Sequence, residues 1–319
     1  MSKKMQPTRV SKKQALAVFL ALIVALFGLS GCINFGIKTV TLEPKISPPA
    51  IGTAGVLTVG VDSTRAPYAG MSRGNLVGID VDIAAVIADH LGLKLKLVDI
   101  AGEDVDELLE TGAIDMVMDV EPSGVVLSQG TEVGPYLLSG PAIFMQVKGT
   151  TVPYIDIRTL SGARIVCQAD SLTAWIIDEV IGQGTSVPVP TLTDALTDVA
   201  NGTATYAAAD AVPGSFLALD HKDVSCVLLI PDSTIGVNIG VEKTNTELAN
   251  ALAVVLRTIR DNGELSVILT KWLGSISSIV VAPTQAIVSS NSPLSLDTEQ
   301  LTNLDTGDDL PDPSHAGSA

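Results

Sequence analysis

Residues 57–97 read LTVGVDSTRAPYAGMSRGNLVGIDVDIAAVIADHLGLKLKL. The run 57–61 is apolar and β-prone, and Ala66-Pro67-Tyr68 interrupts it with a loop that can bear on a ligand. Residues 81–91 then place Ile83, Ile87 and Leu91 on one helical face. Asp80 stands where a helix N-cap belongs and Gly92 where a helix ends. A second β-prone run, 94–98, follows. Strand, loop, helix and strand form the opening βαβ unit of an open α/β sheet, in which ligands bind beyond the carboxyl ends of the strands.

The same alternation continues downstream. A helix at 105–111 closed by Gly112 leads to a strand at 114–118, and after Pro135-Tyr136 comes an apolar strand at 142–148. A second set reads strand 163–168, helix 172–181, strand 187–190, helix 193–201, strand 206–210 and strand 224–230. Strand 236–242 precedes Thr244-Asn-Thr-Glu247, a capping-box pattern. The helix it opens carries Leu248, Leu252, Val255, Leu256 and Ile259 on one stripe and ends at Gly263. A last helix packs Leu265, Ile268, Leu269 and Trp272 and stops at Gly274. Trp175 and Trp272 both stand at helix-core spacing.

Upstream, Lys3, Lys4, Arg9, Lys12 and Lys13 precede an apolar stretch of 15 residues at 15–29, ALAVFLALIVALFGL. That length suits a signal h-region and falls short of a normal membrane span. Leu29-Ser30-Gly31-Cys32 resembles the bacterial lipobox, which is cleaved before a lipid-bearing cysteine; the alternative is an uncleaved anchor. Residues 1–31 are therefore expected to be a lipoprotein signal peptide, with Cys32 as the lipidated residue and the rest of the chain outside the cytoplasm. Their removal takes away five cations and moves the formal net charge from −16 to −21. Such a balance disfavours nucleic acid and anionic surfaces as partners.

Residues 32–54 hold three prolines and no helical periodicity and read as a tether. Residues 284–319 carry six acids and no Lys or Arg, and read as a disordered acidic tail. Cys167 and Cys226 lie in apolar runs and read as two buried strand thiols rather than a disulfide. The three histidines lack ligand spacing, so no metal site and no cofactor are expected.

Five blocks stand in order along the chain: GNLVGIDVDIAAVIADHLGLKL (74–95), ELLETGAIDMVMD (107–119), GPYLLSGPAIFMQVKG (134–149), LSGARIVCQADS (160–171) and ELANALAVVLRTIRDNGELSVILTKWLG (247–274). Together they resemble the family 3 extracellular solute-binding proteins, the substrate-capturing lipoproteins of polar amino-acid ABC importers, over about residues 55–275. The resemblance implies an α/β fold of the periplasmic-binding-protein-like type II, with two α/β lobes joined by two hinge strands. Lobe 1 would comprise residues 55–145 and 240–283 and lobe 2 residues 146–239, with the hinges near 144–149 and 236–243. It implies a non-catalytic, monomeric protein, held on the bilayer through Cys32, that delivers a small polar solute to a membrane ABC permease. That solute would be an amino acid or a related amine.

The family grips an amino acid with an aromatic sandwich, an arginine for the α-carboxylate, hydroxyls and backbone amides, and an aspartate for the α-amino group. By resemblance Asp210 is that aspartate, and it also suits an N-cap for the segment after it. Asp62 follows strand one, where the ligand side chain is often met, and Ser171 matches a hydroxyl position. The expected ligand-binding set is Asp62, Arg65, Tyr68, Asp119, Glu121, Ser123, Ser171 and Asp210.

The pattern also departs from the family. Glu121-Pro122-Ser123-Gly124-Val125-Val126-Leu127 offers no cation where the carboxylate-binding arginine belongs, and Arg65 replaces the first sandwich aromatic. Three readings follow. Arg65 supplies the missing guanidinium from another direction; or Asp62, Asp119, Glu121, Asp170 and Asp210 form an acidic cleft for a cation lacking a carboxylate; or Arg65 pairs with one of those acids as a rim salt bridge. Tyr68 and Tyr136 are the aromatics nearest a ligand. A sensory or degenerate module uncoupled from transport is the alternative function. A cyclohexadienyl-dehydratase-like enzyme on the same fold is a further one.

Overall fold

A computed structural model describes residues 43–122, 124–149, 153, 155–221 and 223–274, together with the backbone of 287–290. Residues 1–31, expected to be a signal peptide, lie outside the described residues, as do Cys32 and Ser123.

Strand β1 (Val56–Val61) is buried along almost its whole length and pairs in parallel with β4 (Lys94–Asp99) and β5 (Met116–Val120). Between β1 and β4 come a small hairpin, β2 (Gly70–Ser72) with β3 (Asn75–Val77), and helix α1 (Ile79–His90). Helix α2 (Val105–Glu110), capped by Asp104, leads into β5. Ile83, Ile87 and Leu91 are buried, as their spacing requires. Asp80 does not cap α1. Gly78 holds the N-cap position at φ 151°, where a Cβ would lie 2.1 Å from the carbonyl oxygen of Tyr68. Asp80 is thereby turned inward, into the first turn and the core.

Two further antiparallel strands complete the first sheet. β6 (Gly130–Ser139) and β12 (Ile235–Glu242) give the order β13-β6-β12-β5-β1-β4, with β13 (Ile287–Ser290) at the edge. The second sheet, β11-β7-β10-β8-β9, consists of β7 (Pro141–Gln146), β8 (Ile165–Gln168), β9 (Ser186–Val189), β10 (Tyr206–Asp210) and β11 (Val224–Leu229). Helices α3 (Leu172–Val180), α4 (Leu192–Ala200) and α5 (Ala211–Ala218) belong to it, and α6 (Thr246–Asp261) and α7 (Glu264–Leu273) follow β12. Asn245, one residue after the expected Thr244, caps α6 by accepting the Leu248 N–H, and its amide also donates to Ala50 O.

Four expectations are corrected here. First, the chain changes sheets at Gly140, between β6 and β7, and again at 230–234, between β11 and β12. Both points come earlier than 144–149 and 236–243, so 141–145 belong with the second lobe and 235–239 with the first. The crossings touch: at Gly140, φ 127°, a Cβ would stand 2.6 Å from Ser233 O. Second, residues 45–52 are docked rather than tethering. Ile46, Ala50 and Ile51 are buried, Lys45 N–H donates to Leu91 O, and the Asp115 carboxylate accepts from Gly52 N–H at 2.7 Å and Thr58 N–H at 2.6 Å. Apolar side chains and a buried acceptor outweigh the extended character that the prolines confer. Third, residues 287–290 of the acidic tail form a strand whose backbone finds its partner in β6. Fourth, Trp175 is 62% exposed, whereas Trp272 is partly buried, packs on Phe216 and donates its indole N–H to Asp82 at 2.7 Å.

Cys167 and Cys226 are free and buried, on strands that two others separate. Burial pushes their thiols up to about 11 and about 12.

Candidate functional site

The strand order brings three loops together. Asp119 lies at the carboxyl end of β5, Arg65 and Tyr68 in the loop after β1, and Asp210 at the end of β10 in the second sheet. A cavity of about 240 Å³ opens among them, lined by Thr64, Arg65, Ala66, Tyr68, Glu121, Asp210 and Pro213.

Arg65 is the hub. Its Nε donates to Asp119 Oδ2 at 2.6 Å, and its Nη2 to Glu121 Oε1 at 2.6 Å and Asp119 Oδ1 at 3.4 Å. The guanidinium carbon stands 5.3 Å from the centroid of the Tyr68 ring. The pairing read from sequence is therefore real, but it engages two acids and is no rim contact: the Asp119 and Glu121 side chains are each 2% exposed and that of Arg65 25%. Asp119 sits at φ 61°, and backbone bonds from Val125 N–H to Asp119 O and from Gly124 N–H to Glu121 O bring Gly124 against the guanidinium. Gly124 permits that approach, since a Cβ there would lie 2.8 Å from Arg65 Nη2.

Electrostatics follow from this burial. Loss of water disfavours charge on Asp119, and the Arg65 hydrogen bond only partly offsets it, so its carboxyl is pushed up to about 7. Burial alone would lower the Arg65 guanidinium, but the Asp119 hydrogen bond and charge, then Glu121, hold it above its ordinary value. The two directions are compatible because Arg65 keeps some water and answers two carboxylates. Beneath them the Tyr136 hydroxyl donates to Asp80 Oδ1 at 2.6 Å and accepts the Asp119 N–H at 3.2 Å. Burial, then the charge of Asp119, raises Asp80 well above the usual carboxylate range. Tyr68 stays a neutral phenol, raised by burial and then by the charges of Asp210 and Glu121.

Asp210 joins the sheets. Ser139 Oγ, at the end of β6, donates to Asp210 Oδ1, which also accepts the Val212 N–H at 3.3 Å as the cap of α5. The helix cap read from sequence is met, and the same side chain lines the cavity.

Among the described residues of the expected set, Asp62, Asp119 and Ser171 do not line the cavity. Asp62 accepts from Thr64 N–H and Oγ1, and reaches the cluster only through its charge on Asp119. Ser171 caps α3, accepting from Ala174 N–H and donating to Gln168 O. Tyr136 is wholly buried and acts from beneath. Ser139, Asp80 and Pro213 were not anticipated. A serine directly before a Gly-Pro lobe crossing was the available signal for Ser139.

The sequence pattern of bacterial extracellular solute-binding proteins, family 3, matches residues 57–275. The chain belongs to that family. No curated protein matches it in sequence. Among solved structures it is similar to the L-cystine solute receptor of Neisseria gonorrhoeae in its unliganded open conformation. That likeness has 21% identity and a TM-score of 0.58, covering 69% of this chain and 93% of that one. It is also similar to a polar amino acid ABC uptake transporter substrate-binding protein from Streptococcus thermophilus, with 19% identity, TM-score 0.59 and coverage of 69% and 86%. An ancestral cyclohexadienyl dehydratase is alike at 19% identity and TM-score 0.57, covering 69% and 92%. These likenesses carry the fold: a family 3 solute-binding protein with two α/β lobes of type II. Binding and catalysis both occur on it, so function rests on the site.

Proposed function

We propose that this chain is the lipid-anchored, extracytoplasmic substrate-binding component of an ABC importer for a small polar solute, an amino acid or a related amine. The observation that carries this reading is the cavity of about 240 Å³ between the ends of β1, β5 and β10, walled by Arg65, Tyr68, Glu121 and Asp210. Its size, below the ~300–1,000 Å³ of common ligand pockets, suits a small solute. Function is reversible capture: the lobes close about the crossings at Gly140 and 230–234, and the loaded form meets a membrane permease. No residue is assigned a catalytic role, because Arg65, Asp119 and Glu121 are tied to one another.

A thermal-shift screen of the full chain in mild detergent against amino acids, amines and small carboxylates tests capture. Ligand at 100-fold over Kd raises stability by about 2.7 kcal/mol. Turnover of a cyclohexadienyl substrate would instead place the chain among the enzymes. Cys32→Ser is expected to move the protein from the membrane fraction to the soluble one, and retention on the membrane would refute the lipid anchor at that residue.

The sensory or degenerate reading has one observation in its favour. The guanidinium of Arg65 already sits against Asp119 and Glu121, where a ligand's cation would be received. A folded chain that answers no solute would favour it.

A further inference from the structure

Resting on the capture reading, we infer that the cleft takes a small organic amine that lacks a carboxylate, and rejects the parent amino acid. A ligand carboxylate would need a cation turned toward it. Among the described residues Arg65 is the cation that lines the cavity, and its Nε and Nη2 are directed at Asp119 and Glu121. Both acids are almost fully buried, and Gly124 packs against Glu121 and the guanidinium. Turning Arg65 toward a ligand would leave two carboxylates without their cation in a dry site, facing a third negative charge. Arg65 therefore neutralises its own cleft rather than serving the ligand.

What an ammonium would need is present. Among the described residues at the cleft, one guanidinium is set against the carboxylates of Asp119, Glu121 and Asp210, so negative charge remains when Arg65 is answered, even with Asp119 protonated. Both hydrogen bonds that Asp210 accepts from the described residues fall on Oδ1. Its Oδ2 takes none, and Asp210 lines the cavity. An alkylammonium donating to Oδ2 would gain a charge-assisted bond without breaking one already made.

Matched pairs that differ by the carboxylate decide the point. The full chain is titrated calorimetrically with lysine and cadaverine, ornithine and putrescine, and arginine and agmatine. At least one amine is expected to bind tenfold or more tightly than its parent, and Asp210→Asn, which keeps a capping oxygen for α5, to weaken it at least tenfold. Glu121→Gln should weaken it as well, and guards against misfolding of the first variant. A parent amino acid binding as tightly as its amine overturns this inference and leaves solute capture standing. Amine binding unchanged in both variants overturns it too. No binding by either series, with the fold intact by circular dichroism, overturns capture and this inference together.

Discussion

Asp119→Asn isolates the buried acid that holds Arg65 from behind the cleft. The left-handed backbone at φ 61° suits asparagine, whose backbone N–H keeps its bond to Tyr136 and whose side-chain oxygen still accepts from Arg65. What changes is the proton. The Asp119 carboxyl is raised from 3.8 to about 7, chiefly by burial, so the folded state binds a proton more tightly than the unfolded one. Its stability contribution is complete below about pH 4 and lost as pH rises through about 7. At ~1.4 kcal/mol per unit the whole effect is of order 4 kcal/mol, of which about 3 falls between pH 5 and 8. The acids lowered in the fold, Asp99, Asp156, Asp178 and Glu264, act in the opposite direction, but at more acid pH. Asp80 is raised chiefly by burial in both proteins, and losing the Asp119 charge leaves it less raised in the variant, which widens the difference between the two proteins in the same direction. Guanidinium unfolding followed by tryptophan fluorescence should show wild type losing about 3 kcal/mol more than Asp119→Asn from pH 5 to 8. Parallel profiles, or a wild type that gains stability relative to the variant across that window, would refute the assignment.

The two tryptophans should behave oppositely in denaturant melts. Trp175→Phe changes an exposed side chain and should stay within about 0.5 kcal/mol, whereas Trp272→Phe forfeits the bond to Asp82 and should cost about 1.5–3 kcal/mol. Phe144→Ala empties a fully buried site in β7 and should destabilise by about 3–5 kcal/mol, read by the same melts. Cys167 and Cys226 should react with a thiol reagent only after unfolding, and a fast native-state reaction would contradict their burial.

The order of strands and helices was legible because local signals agree with the packing: Ile83, Ile87 and Leu91 share a face, and Leu248, Leu252 and Ile259 form a stripe that is wholly buried. Local signals failed where a distant residue decides. Asp80 looks like a cap, yet the close approach of Tyr68 to Gly78 turns it inward to Tyr136. Pro135 obscured β6, which is tolerated through an irregular register against β12 between Val237 and Ile239. The prolines of 33–54 suggested a free tether because buried Ile46 and Ile51 show no periodicity. In the cleft, the charges of Arg65, Asp119 and Glu121 were readable, and the meeting of all three was not. Residues 54 and 56 positions apart are joined only by the parallel pairing of β1 with β5.

The double crossing at Gly140 and 230–234 also sets an order of assembly. All strands of the second sheet lie between residues 141 and 229, so that sheet is complete in a chain released only to that point. The first sheet is begun earlier and finished later, because β12 must slide between β5 and β6, both made some hundred residues before it. A chain emerging amino end first from a membrane pore would therefore carry an open gap in its first sheet, flanked by β5 and β6, until residue 242 is free. During that interval the two strands bordering the gap offer unpaired backbone to any neighbour, and the half-made lobe is the species a chaperone outside the membrane would have to guard.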